Sequence, residues 1–406
     1  LIYVPNDSLY IYSEDGYWQP LHSDYVELHA LEEIEGDTIR SAHLTDIRRL
    51  VEKLSLIGRH YPGRSLNEHN RHCNIRSGML DLESMDLKSH HQDYLSTIQL
   101  PVTNSPNATC PRWLQALDEI FEGDSERIAI LQEFTGLCLV PDTSFQKALI
   151  KVGEGANGKT TVIQVQEELL GRENICNVAL ADLGNEFHRV RLHGKLVNIA
   201  SEIDPKTLEK SDYFKSIVTG DTISAAHKHK PAFDFRPVVR LIFACNRLPR
   251  VRDTSHGFYR RLIILPFERR FEGEDADRHL SKKLLAELDG IFLWALRGLK
   301  RLYQQGHFTE SEVVDAALAD YKRYNNPLMA FIEDSCQVDP AATTSKETLY
   351  SEYRKYSEKY GYSSFSRESF FRELYAAYQQ LETARIRQNG EREQVVMGIA
   401  VVKRVG

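Results

Sequence analysis

The stretch KVGEGANGKTTVIQV, residues 151–165, crowds three glycines into the six positions from Gly153 to Gly158. An apolar run, ALIKV (148–152), precedes it, and the run TTVIQVQEELL (160–170) with helical spacing follows. The expected order is strand, glycine-rich turn, helix. Gly153 to Thr160 read G-x-x-x-x-G-K-T, a pattern whose backbone N–H groups cradle phosphates at a helix N-terminus. The expected nucleotide-binding set is therefore Gly153, Glu154, Gly155, Ala156, Asn157, Gly158, Lys159, Thr160 and Thr161. Within it Lys159 reaches the β- and γ-phosphates of ATP and the Thr160 hydroxyl ligates Mg²⁺. Such a loop alone does not separate a small-molecule kinase, a switch and a motor.

Downstream apolar runs decide the surrounding fold. KLVNIASE, VVRLIFACN and RRLIILPF alternate with helical patterns, predicting a largely parallel α/β sheet with ligands at the strands' carboxyl ends. The second run ends on Glu202, where a carboxylate can deprotonate an attacking water and hold a metal-bound one. Glu202 is the expected general base and a further Mg²⁺ contact; Asp204 either shares that face or is a surface residue. The third run ends on Asn246, whose amide can sense the γ-phosphate and the lytic water. The fourth begins beside Arg260 and Arg261, placed where a ring ATPase presents an arginine finger; Arg261 is the first candidate and Arg260 the second. Lys159, Glu202, Asn246 and Arg261 form the expected catalytic set.

The 406 residues carry 51 Lys and Arg against 58 Asp and Glu, a formal charge of −7. That balance excludes a uniformly basic coat, so any nucleic-acid contact must be local. From Lys228 to Arg261 the bases are Lys228, Lys230, Arg236, Arg240, Arg247, Arg250, Arg252, Arg260 and Arg261, against Asp234 and Asp253. TISAAHKHKPAFDF (222–235) reads as a hairpin with His227, Lys228, His229 and Lys230 at its tip. Such a patch suits a phosphate backbone, without sequence preference.

Taken in order, GEGANGKT, LVNIASE, FKSIVTGD with HKHK, LIFACN and RRLIILPF resemble the superfamily 3 helicases, and within them the phage, plasmid and poxvirus primase-helicases. NIRSGMLDLESMDL (74–87) resembles the domain that precedes their motor, and the tail resembles their winged helix. The resemblance implies an AAA+-like P-loop ATPase core in a hexameric ring, with ATP and Mg²⁺ bound between subunits. It also implies a hairpin from each subunit gripping single-stranded DNA at a fork, and movement from 3′ to 5′. Position by position, Lys228 and His229, with Lys230 beside them, fall on DNA-contacting residues, and Lys215 and Asp221 fall where nucleotide state is coupled to the hairpin. It further implies phage, plasmid or virus origin, a cytoplasmic site of action in the host cell, and an upstream primase or polymerase domain in a longer protein. Relatives often carry two adjacent acids in the second motif; here Ser201 precedes Glu202.

The flanks complete the expected organisation: an N-terminal α+β domain (1–110), a helical collar for oligomerisation (111–142), the ATPase domain (143–325) and a winged-helix-like domain (326–406). The collar's Trp113, Leu114, Leu117, Ile120, Phe121, Ile128, Leu131, Phe134 and Leu137 recur at helical spacing, predicting amphipathic helices. Three helices and a hairpin turning at Asn389-Gly390 make up the tail, with Arg367, Arg372, Arg385, Arg387 and Arg392 available to duplex phosphates or to a protein partner. No apolar run reaches membrane-spanning length, and six scattered cysteines fit a reducing compartment. His69, His72 and Cys73 lack a second ligand pair at zinc spacing. The opening on Leu1 reads as a fragment. Two rival functions remain: a ring ATPase that remodels or loads replication proteins without unwinding, and a non-motor nucleotide-binding protein such as a kinase.

Overall fold

Runs rich in branched aliphatics, buried on both faces, pair as parallel strands in one central sheet. Its members are β1 (Ala148–Val152), β2 (Ile175–Cys176), β3 (Val197–Ala200), β4 (Arg240–Cys245) and β5 (Leu262–Pro266), in the spatial order β5-β1-β4-β3-β2. Ile242 lies opposite Leu149, and Cys245 opposite Val152, so β4 and β1 end level. The sequence predicts four of these strands. The fifth, β2, has only two residues and owes its extended form to β3, where Ile175 pairs with Val197.

The computed structural model describes residues 1–5, 8–22, 24–33, 41–68, 71–201, 208, 210–273, 277, 279–362, 364–388 and 391–402. The chain divides into two compact units, Leu1–Pro249 with Ser255–Ala317, and Arg250–Thr254 with the residues from Leu318 onward.

In the first unit four helices matter for the site: α1 (Pro111–Phe121), α2 (Ser125–Leu137), α3 (Lys159–Leu170) and α4 (Leu288–Gln305). Helix α1 is amphipathic as predicted, burying Trp113, Ala116, Leu117, Ile120 and Phe121, although Leu114 is exposed. Helix α2 departs from the expectation. Beyond an exposed first turn at Ser125 and Glu126, it is buried on every side from Ile130 to Leu137, polar residues included, because the buried polar groups find fixed partners. Glu133 accepts from Arg301 Nε at 2.7 Å and Thr309 Oγ1 at 2.6 Å, while Arg127 pairs with Asp124 at 2.7 Å and Glu268 at 2.9 Å.

The N-terminal residues form two small antiparallel sheets, Ile2–Tyr3, Leu9–Tyr12 and Trp18–Pro20, then His72–Ile75, Gly78–Asp81 and Leu87–Lys88, with helices Tyr25–Glu33 and Ser41–Leu54 between them. Cys73, Ile75 and Leu80 of the second small sheet join the apolar core of the central sheet. Cys73 points its thiol at the Leu139 carbonyl, 3.6 Å away, and His69 lies outside the described residues. Among the described residues no helix is long and apolar enough to cross a membrane.

The second unit contains α5 (Pro327–Ser335), α6 (Lys346–Lys359) and α7 (Arg367–Ala377), each started by a side-chain cap from Asn326, Ser345 or Ser366. Its sheet has three strands: Glu391–Val401 lies between Cys336–Ser345 and Glu382–Gln388. The strand Cys336–Ser345 was not legible beforehand, since CQVDPAATTS lacks apolar alternation; its Pro340 falls inside a register shift at the sheet edge, where a missing N–H does no harm. Phe331, Tyr353 and Phe370 pack at its centre. The predicted Asn389-Gly390 turn lies outside the described residues. Arg250 places its guanidinium 4.6 Å from the centre of the Tyr362 ring and 5.2 Å from that of Tyr324.

An interior strand of the sheet carries a buried amine. Lys151 on β1 is fully buried, and its ammonium donates to Gln166 Oε1, whose own amide donates to Thr135 Oγ1 at 2.7 Å. Desolvation, partly offset by Cys138 and Glu167, lowers its pKa from 10.5 to about 7. Between those two values the unfolded chain binds the proton that the fold has released, so this group makes stability rise with pH, while below about 7 both states hold the proton and the burial penalty is complete. We therefore expect the Tm to climb less between pH 7 and pH 9 in Lys151→Met than in the parent, as read by thermal melts at both values.

Candidate nucleotide and nucleic-acid site

At the carboxyl ends of β1 and β4, Gly153 N–H donates to the Cys245 carbonyl at 3.2 Å, so the chain turns into the glycine-rich loop directly beside Asn246. The turn needs left-handed backbone at Gly155 (φ 90°), Ala156 (φ 48°) and Gly158 (φ 85°). At Gly153 the need is space: a Cβ there would stand 2.1 Å from the Phe267 carbonyl oxygen. Helix α3 then starts at Lys159 with Gly158 as its cap and no side chain on its first N–H groups. An uncapped first turn of this kind attracts anions.

Two side chains fix the loop from within. Asn157, buried, donates from Nδ2 to the Phe267 carbonyl at 3.0 Å and accepts the Lys159 ammonium on Oδ1 at 3.0 Å. Lys159 Nζ also donates to the Gly153 carbonyl. The ammonium is thus aimed across the loop mouth, and desolvation lowers its pKa. Sequence reasoning placed Asn157 among phosphate-cradling residues by position; its link to Phe267, far off in the chain, carried no signal there.

The loop lines a cleft of about 1150 Å³. Gly155 to Thr161, Ser201, Asn246 and Arg247 form its polar side, and Ala116, Ile120, Phe271 and Leu280 form an apolar side with Arg112, Glu119 and Asp277 near by. An anion-attracting turn beside an apolar wall fits a ligand with a phosphate chain and a planar base. Asn246 is exposed at the end of β4 and lines this cleft. Glu202 and Asp204 lie outside the described residues, two or more positions past the end of β3; Ser201, before them, lines the cleft.

Arg260 and Arg261 stand at the opposite end of β5 and are not among the residues lining the cleft. Arg260 is exposed and donates to Gln146 Oε1 at 3.1 Å. Arg261 is half-buried; it donates from Nη2 to Thr219 Oγ1 at 3.2 Å and from Nη1 to the Gly257 carbonyl, and its Nε is dry without a hydrogen-bond partner.

The predicted hairpin forms from Ile223–Ala225 and Phe233–Phe235, with Ser224 opposite Asp234. His227, Lys228, His229 and Lys230 are all exposed in the connection, and His229 holds φ at 65°. Among the described residues no carboxylate pairs with Lys228 or Lys230. The rest of the basic stretch is dispersed: Arg240 is buried in β4 and Arg250 packs on rings in the second unit, whereas Lys228 and Lys230 lie together, exposed, at the hairpin tip. Lys215 pairs with Asp212 at 3.2 Å on the helix Asp212–Thr219 that leads into the hairpin, and Asp221 follows that helix.

Three family models match successive parts of the chain. Residues 1–122 match "D5 N terminal like", residues 151–261 match "Family of unknown function (DUF5906)", and residues 323–399 match "Poxvirus D5 protein-like". The chain is 23% identical over 307 residues to "Putative helicase L207/L206" of Acanthamoeba polyphaga mimivirus, covering 67% of this chain and 31% of that protein. It is 21% identical over 234 residues to "Putative helicase 022R" of Frog virus 3 (isolate Goorha), covering 51% and 24%. The chain thus spans about a third or less of the length of these relatives. Its fold is similar to that in "The A form apo structure of NrS-1 C terminal region-CTR", with a TM-score of 0.51, 14% identity, and coverage of 89% of this chain and 91% of that one. The chain is therefore similar at both ends to poxvirus D5-type proteins, and over two thirds of its length to a viral protein named a helicase.

Proposed function

We propose that this chain is the ATP-driven motor part of a viral, phage or plasmid DNA helicase of superfamily 3 type. One observation carries the reading: the loop residues Gly155–Lys159 line the cleft at the carboxyl end of β4 with Asn246, while Lys228 and Lys230, which pair with no carboxylate among the described residues, lie on a separate hairpin. The parallel strand order β5-β1-β4-β3-β2, with the loop following the interior strand β1, supports an AAA+-like P-loop core.

In this reading MgATP lies in the cleft, its phosphates on the first turn of α3 and on Lys159, its base against Ile120 and Phe271. Thr160 and Glu202 would hold Mg²⁺ or its water, and the ion would supply charge neutralisation at the transferred phosphate. Thr160, exposed at the first turn, fits that task. Asn246 orients water and reports the γ-phosphate. Arg261, with Arg260 beside it, does not line its own cleft and in this reading serves the site of the next subunit in a head-to-tail hexameric ring. Lys228, His229 and Lys230 then hold single-stranded DNA, and residues 326–406, a winged-helix-like domain, meet duplex DNA or another replication protein. The relatives' greater length leaves room for an upstream primase or polymerase domain.

The test is ATP hydrolysis with and without single-stranded DNA, together with strand displacement on a fork. We expect DNA to stimulate hydrolysis in the parent, and Lys228→Ala to keep the basal rate but lose most of that stimulation and the displacement. Hydrolysis indifferent to DNA in both proteins would favour a ring ATPase that remodels replication proteins instead.

A further inference from the structure

Among the described residues the hairpin that carries Lys228 and Lys230 forms a sheet of its own two strands. Its two strands have three residues each, and an isolated two-stranded ribbon of that size is marginal in water. A tip that bears load needs a root held from outside. The buried guanidinium of Arg189 provides it, donating to the Ser224 carbonyl from Nε at 2.9 Å and from Nη2 at 2.7 Å, and to the Leu183 carbonyl from Nη1 at 3.0 Å. Its face lies 3.5 Å from the centre of the Tyr213 ring, on the helix Asp212–Thr219. The Glu186 carbonyl, three residues before Arg189, accepts the N–H of Ala226 at 3.3 Å, so the first hairpin strand is held at two successive outward points.

Among the described residues no carboxylate forms an ion pair with Arg189; its charge is met by carbonyl dipoles and the Tyr213 ring, with the Glu186 carboxylate adding attraction from farther off. Such a seat is expensive for a cation and specific for a planar fork. It joins three separate pieces: the hairpin through Ser224, the turn around Leu183, and the helix Asp212–Thr219 through Tyr213. The far end of that helix meets Arg261, which donates to Thr219 Oγ1.

We propose that Arg189 is the positioning residue of the hairpin, pinning its root to the helix Asp212–Thr219 so that the tip moves only as that helix moves. The inference rests on the reading that the hairpin grips DNA. Arg189 touches neither nucleotide nor DNA; it acts through Ser224 and Tyr213.

The test compares Arg189→Met, Arg189→Lys and Lys228→Ala in the full chain by basal ATPase, fluorescence anisotropy with labelled single-stranded DNA, and DNA-stimulated ATPase. In Arg189→Met we expect basal hydrolysis within about twofold of the parent and DNA stimulation down about tenfold, the size of a lost buried hydrogen-bonded contact. Anisotropy should change less than in Lys228→Ala, since the gripping cations remain. Arg189→Lys, keeping charge but not the fork, should fall between. A DNA-stimulated to basal ratio equal to the parent's in Arg189→Met, with Lys228→Ala impaired, would overturn the clamp and leave the grip standing. If Lys228→Ala is itself unimpaired, the grip fails instead. Should Arg189→Met not fold, Tyr213→Leu, which removes only the stacked ring, must lower the same ratio for the proposal to survive.

Discussion

Lys159→Ala will bind nucleotide weakly and hydrolyse it at least about 10²-fold more slowly than the parent, the usual cost of removing one preorganised charge from a transition state. The side chain is not a generic surface cation. Asn157 Oδ1 at 3.0 Å and the Gly153 carbonyl hold its ammonium over the loop mouth before any phosphate arrives, so little reorganisation remains at the moment of reaction. Partial desolvation, which lowers its pKa, removes competing water from the same point. Loss of the ammonium leaves Asn157 Oδ1 without that donor, yet Asn157 Nδ2 still ties the loop to Phe267, and the fold should survive. Steady-state phosphate release, with circular dichroism as the control for folding, measures both halves of the expectation.

The second large effect concerns Arg261. If it completes a neighbour's site, Arg261→Ala should cost about 10³-fold or more in hydrolysis while leaving nucleotide binding by each chain nearly intact. A mixture of Arg261→Ala and Lys159→Ala should then regain activity that neither shows alone, because in a mixed ring some interfaces pair an intact loop with an intact arginine. Titrating one inactive variant into the other and following phosphate release gives the answer. A flat, inactive titration with assembled rings would remove the shared site. In the single chain the guanidinium is held by the Gly257 carbonyl and Thr219 Oγ1 and its Nε is buried, so service to a neighbour requires Arg261 to leave these partners.

The loop was legible because its chemistry is local. Three glycines, a lysine and a threonine at fixed spacing leave few other conformations, and the flanking strand and helix each declare their period. The hairpin was legible for a similar reason: two apolar pairs flank a polar tip. What the sequence hid is contact between distant residues. Nothing in the four letters EFHR announces that Arg189 will reach the Ser224 carbonyl, and nothing in α2 announces that Glu133 will be buried against Arg301. The amphipathic reading of α2 failed there because periodicity counts apolar residues and cannot count partners for polar ones. The basic stretch was over-read for the same reason, since Arg240 is buried in β4 and Arg250 is engaged by the Tyr324 and Tyr362 rings. β2 was missed because two residues cannot display a period.

β5 has Arg261 immediately before its first residue and Phe267, held by Asn157, immediately after its last. Five extended residues span roughly 17 Å and cannot stretch. The strand is therefore a strut with one nucleotide loop fastened to its far end and an arginine at its near end. If the chain assembles into the proposed ring, a shift of the loop would be carried along that strand to Arg261, setting two neighbouring sites out of phase by translation rather than by a relay of side chains.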